Sequence, residues 1–104
     1  MALQINTNLT TADGGSVAAG SYVKMELYFP MTEDQYSVTM KIWRNQGAYI
    51  SNLASFKPLQ IPSLNFTKNL TPAEMSGLTP TQVNLEVQAY LEQYVGEGNV
   101  TILG

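Results

Sequence analysis

The sequence has no cysteine and no histidine, and only thirteen of its 104 side chains carry a formal charge, five basic and eight acidic. Without cysteine, neither a disulfide framework nor a thiolate metal site can form, so stability has to come from packing. Without histidine, a serine nucleophile would need a lysine as its base, and the one Ser-x-x-Lys spacing, Ser21 to Lys24, lies in an alternating stretch that turns the two side chains to opposite faces. The charged fraction of 12% is about half of the ~25% usual in globular domains, and Asn, Thr, Ser and Gln fill the deficit. Weak mutual repulsion of this kind suits a protein that packs against neighbours.

Other absences narrow the field further. No apolar run approaches the ~18 residues that span a bilayer, so no membrane partner is expected. The basic residues, the four lysines and Arg44, are scattered rather than clustered as a phosphate-neutralising face requires, so no nucleic acid is expected. Glu33-Asp34 is the one adjacent acidic pair, and it falls in a polar connection where solvated turn residues are usual; general acid–base work needs two carboxylates held in a cleft. No Asp-x-Asp-x-Asp array offers calcium ligands, and Gly14-Gly15 is too short for a phosphate cradle. No catalytic residue, metal site or cofactor is assigned, and the chain is read as a non-enzyme. The opening Met1-Ala2-Leu3-Gln4-Ile5-Asn6 has neither a basic leader nor an apolar run, so no secretory signal is read. The N-x-Thr triplets at Asn8, Asn65, Asn69 and Asn99 are then expected from a composition rich in Asn and Thr, not as glycosylation sites.

What is present is strand periodicity followed by a helix. The length fits a single domain over residues 1–104, with room for one core. Leu3, Ile5 and Leu9 alternate with Gln4, Asn6 and Asn8, predicting a half-buried first strand from 3 to 9, and Asp13-Gly14-Gly15 supplies a reversing turn. From Ser21 to Phe29 the alternation is unbroken, with Val23, Met25, Leu27 and Phe29 opposite Tyr22, Lys24, Glu26 and Tyr28. Val17 and Ala19 continue its apolar face, with Gly20 relieving a bend. Pro30 ends that strand. After Thr32-Glu33-Asp34-Gln35, Tyr36, Val38, Met40 and Ile42 alternate with Ser37, Thr39, Lys41 and Trp43, completing an antiparallel hairpin. Residues 45–62 show neither period and read as a long connection pinned by Tyr49, Ile50, Leu53, Phe56, Leu59 and Ile61. A fourth strand is expected over 64–70, with Lys68 at an inward position that spoils its pattern.

Two helix starts follow, Leu70-Thr71-Pro72-Ala73-Glu74 and Leu78-Thr79-Pro80-Thr81-Gln82, each with a Thr cap, an initial Pro and a Glu or Gln three residues on. Gly77 limits the first to about a turn. The second is predicted from Pro80 to Val95, burying Val83, Val87, Tyr90, Leu91 and Tyr94 and stopping at Gly96. Val83, Leu85, Val87, Ala89 and Leu91 also alternate as a strand would, but the cap, the proline and the glycine stop favour helix. Val100 and Ile102 make a short closing strand. The expected fold is α+β: an antiparallel sheet of four to five strands with one C-terminal helix packed on its apolar face.

Tyr22, Tyr28 and Trp43 fall on the polar faces of the central hairpin and are the candidate interface residues, since displayed aromatics bury much area at small entropic cost. The competing expectation is that a second layer, built by the 45–62 connection, covers that face. The same aromatics beside Asn and Gln could instead stack on sugar rings, as a small carbohydrate-binding adhesin module with a glycan as ligand.

The opening hexapeptide, the Asp13-Gly14 turn, the hairpin Ser21-Tyr22-Val23-Lys24-Met25-Glu26-Leu27-Tyr28 with Ser37-Val38-Thr39-Met40-Lys41-Ile42-Trp43-Arg44, and the helix followed by Asn99-Val100-Thr101-Ile102-Leu103 resemble small structural proteins of tailed bacteriophages, of the crAss-like type. The resemblance is one of layout and composition over most of the chain. It implies a virion subunit without catalytic residues, a head, head-fibre or tail component assembled in the host cytoplasm. Its partners would be copies of itself and other virion proteins.

Overall fold

The computed structural model describes residues 2–28 and 35–103. The elements run β1 (Ala2–Ile5), β2 (Leu9–Thr10), β3 (Ser16–Val17), β4 (Ser21–Tyr28), β5 (Gln35–Trp43), α1 (Gln46–Ile50), β6 (Asn65–Asn69), α2 (Pro72–Ser76), α3 (Pro80–Val95) and β7 (Val100–Ile102). Five strands form one antiparallel sheet in the order β6-β5-β4-β1-β7. The helix α3 packs on the apolar face of that sheet, the α+β arrangement that the periodicity predicts. The places given to Phe29, Pro30 and the Glu33-Asp34 connection lie outside the described residues.

Alternation decides which face is buried. Pairing Val23 with Ile42, Met25 with Met40 and Leu27 with Val38 puts six apolar side chains on one face of the central hairpin. Leu3 opposite Val23 and Ile102 extends that face through β1 to β7. Val83, Val87, Leu91 and Val95, one turn apart on α3, close over it. Tyr94, expected on this stripe, is exposed and meets Tyr90 edge-on at 5.4 Å. The i, i+4 row from Val83 to Val95 points at the sheet, and at the last turn of α3 Val95 takes the inward place that was expected of Tyr94.

The first strand is shorter than its pattern. β1 ends at Ile5, opposite Ser21, and Leu9 belongs to a separate two-stranded ribbon in which it pairs with Val17. Gly20, at φ 109°, bends the chain between the two ladders, and the Asn8 side chain accepts the Ala19 N–H at 2.9 Å. Leu9 and Val17 still reach the core, so the apolar pattern is kept while the ladder breaks.

Both helix caps form as read: Thr71 and Thr79 accept from the N–H groups of Glu74 and Gln82, whose side chains accept in return from the cap N–H groups. Gly96, at φ 99°, ends α3, and its N–H bonds the Glu92 carbonyl at 3.0 Å.

Candidate functional site

Four of the six described carboxylates, Asp13, Glu74, Glu86 and Glu92, are occupied by structure. Asp13 accepts from the Thr11 hydroxyl and, at 3.1 Å, from the Gly15 N–H, which hold its pKa below the usual value. Glu74 is lowered by the Thr71 N–H and hydroxyl of its capping box. Glu86 pairs with Lys68, and Glu92 accepts the Gly98 N–H at 2.7 Å. Among the described residues, no three acidic side chains converge as a metal site would need, and no helix is long and apolar enough to cross a membrane.

The chemistry on display is on the outer face of the sheet, opposite α3. Asn45 caps α1 by accepting the Ala48 N–H at 2.7 Å, and the chain leaving β5 turns back so that Tyr49 lies over the end of the central hairpin. Its ring centroid is 5.1 Å from Tyr22 and 4.9 Å from Trp43, meeting the indole nearly edge-on at 72°. The Trp43 Nε1–H donates to the Leu53 carbonyl at 2.8 Å.

The three aromatic candidates therefore separate. Tyr22 and Trp43 are register partners under Tyr49, whereas Tyr28 stands opposite Ser37 at the far end of β4. Tyr22 is only 7% exposed, so its expected display on the surface is corrected: α1 and the chain after it form a partial second layer at this end. Trp43 is half-buried, and Tyr28, with no such cover, is 65% exposed.

The 45–62 connection is pinned less completely than its composition suggests. Phe56 donates its N–H to the Ile42 carbonyl, Leu59 donates to Thr10, and Ala48, Pro58 and Ile61 are buried. Ile50, Leu53 and Leu59 instead point outward. Between the contacts at Phe56 and Leu64 the connection stands away from β5 and leaves a cleft of about 690 Å³ lined by Phe56, Pro58, Leu59, Ile61 and Leu64.

A smaller depression of about 270 Å³ lies on the outer face beside the aromatic cluster. Trp43 and Tyr49 wall it, and Lys24, Lys41, Glu26 and Thr39 line it. Lys24 and Lys41 are direct cross-strand partners, and Lys24 Nζ sits 5.6 Å from the Tyr49 ring centroid. Among the described residues neither lysine has a carboxylate oxygen within 4.0 Å, the one ion pair being Lys68–Glu86. Sequence reading missed Tyr49 as a member of this site. The available signal was Asn45, a cap residue placed four positions before it.

Comparison with protein-family models, curated proteins and solved structures finds no match for the chain.

Proposed function

We propose that the chain is a non-enzymatic assembly subunit of a phage particle, a head, head-fibre or tail component acting through protein–protein contacts with copies of itself and other virion proteins. The observation that carries the assembly reading is the outward placement of Ile50, Leu53 and Leu59, 72%, 59% and 60% exposed, on one excursion from the sheet. Large aliphatic side chains left exposed on a sparsely charged chain favour contact with another protein. The phage setting rests on the resemblance in layout. Light scattering on the purified protein, alone and with particle extracts, is expected to show a species heavier than the monomer, and Ile50→Asp with Leu53→Asp is expected to abolish it. Proteomics of purified particles that never finds the chain would overturn the phage setting.

A second reading, a small carbohydrate-binding module, is favoured by the depression that Trp43 and Tyr49 wall beside polar side chains. Tyr22 and Tyr28 do not extend it, since one is covered and the other lies at the opposite end of β4.

A further inference from the structure

We propose that the depression between Trp43, Tyr49, Lys24 and Lys41 binds a carboxylated sugar ring, of the hexuronate class. The inference rests on the carbohydrate reading above and adds a charge to its ligand.

The lysine pair is the first reason. Like charges placed directly opposite on adjacent strands oppose each other, and an anion seated between them would relieve that cost. Two of the five basic residues in an acidic chain meet at this depression, and among the described residues neither is neutralised by a carboxylate.

The other lining groups select among anions. Glu26 stands diagonally across the pair from Lys41, so a compact dianion such as phosphate would meet a carboxylate as well as two ammonium groups. A monocarboxylate attached to a polyol fits better: its charge lies with Lys24 and Lys41, while its hydroxyls can donate to Glu26 and exchange hydrogen bonds with Thr39. The Trp43 and Tyr49 rings, inclined at 72° to each other, supply two apolar walls for the C–H faces of a pyranose. The volume of about 270 Å³ is just under the ~300 Å³ lower bound of common ligand pockets, which suits one ring better than an enclosed chain.

Trp43 is the single tryptophan, so its indole reports on the site without labelling. The full chain is titrated with trigalacturonate, with neutral cellotriose and with sodium sulfate, following the indole N–H resonance and the fluorescence. Trigalacturonate is expected to move both signals saturably in the millimolar range, and about tenfold more tightly than cellotriose, the factor that one charge-assisted contact supplies. Lys41→Gln, an exposed change that circular dichroism should find folded, is expected to weaken trigalacturonate by about the same factor and to bring the affinity ratio of the two saccharides close to one. Equal binding of the two saccharides overturns the inference and leaves the sugar reading standing. Sulfate that displaces trigalacturonate at matched ionic strength also overturns it, marking a general anion site. If neither saccharide moves the indole signals, the inference and the carbohydrate reading fail together.

Discussion

Lys68 and Glu86 stand 2.6 Å apart, nitrogen to oxygen, and join the edge strand β6 to the helix α3. Lys68 occupies an inward strand position between Phe66 and Leu70 where the alternation calls for an apolar side chain, and the carboxylate across from it explains how a charge is kept there. Both side chains remain more than a third exposed, which limits the strength of the pair. A double-mutant cycle with Lys68→Ala and Glu86→Ala is expected to give a coupling of about 0.5 kcal/mol that shrinks as salt is added.

Trp43→Ala removes a half-buried indole, its contact with Tyr49 and its bond to Leu53, and is expected to cost the fold roughly 1–3 kcal/mol. Leu91→Ala, in the fully buried row of α3, should cost about 2–5 kcal/mol. Trp43→Phe keeps a ring against Tyr49 and loses the N–H, so about 1 kcal/mol is expected for it. Denaturant midpoints rank the three. If Trp43→Ala unfolds the chain as readily as Leu91→Ala does, the aromatic cluster is a second core.

The cap of α3 is a separate test. Thr79→Ala should destabilise by about 1 kcal/mol, whereas Thr71→Ala, at a five-residue exposed helix, should change the global melt less. Gly96→Ala is expected to exceed both, because the residue sits at φ 99° and an added Cβ would lie 2.8 Å from Asn99 Nδ2. Thermal melts of the three variants give the order directly.

Tyr36 is buried between Phe66 and the inner sheet face, and its hydroxyl has no hydrogen-bond partner among the described residues. Burial first, and the nearby Glu86 charge second, raise its pKa above the ordinary phenol value of about 10. The unfolded phenol then ionises before the folded one, so stability is intact below that pH and is lost as pH rises through the raised value. Tyr90 shifts the same way, chiefly by burial, so both contribute to alkaline unfolding. Tyr36→Phe should be neutral or stabilising at pH 7 and should move the alkaline midpoint upward, read by circular dichroism across a pH series. At the acid end Asp13 and Glu74, both lowered by hydrogen bonds, act oppositely: their contribution is present above the ordinary carboxylate pKa and fades as pH falls through their lowered values.

Strands and helices whose signals are local were legible in the sequence. The β4–β5 alternation fixes its own buried face, and the two Thr-Pro caps fix the helix starts, because each depends on neighbours within a few residues. What could not be read depends on distant partners. Nothing between Leu3 and Leu9 announces that β1 stops at Ile5; the break lies in its partner, where Gly20, at φ 109°, bends the chain just before Ser21. Likewise α1 is five residues long and includes Gly47, too short and too weakly helical to stand out, yet it decides that Tyr22 is covered. The depression beside it combines residues of β4, β5 and α1, so its lysine pair emerges only once the strand register is known.

The position of β1, between β4 and β7, has a consequence for how the molecule is made. During synthesis β1 can pair with β4 once residues 21–24 have emerged, but its other side faces Val100, Thr101 and Ile102. Until those residues exist, one side of an apolar strand offers open hydrogen-bonding groups, the template on which chains join out of register or to one another. The closing contact spans almost the whole sequence, and such distant pairings come late and slow the final step. A nascent chain halted before residue 100 would therefore be the aggregation-prone form of this protein, and completion of a three-residue strand is what seals it.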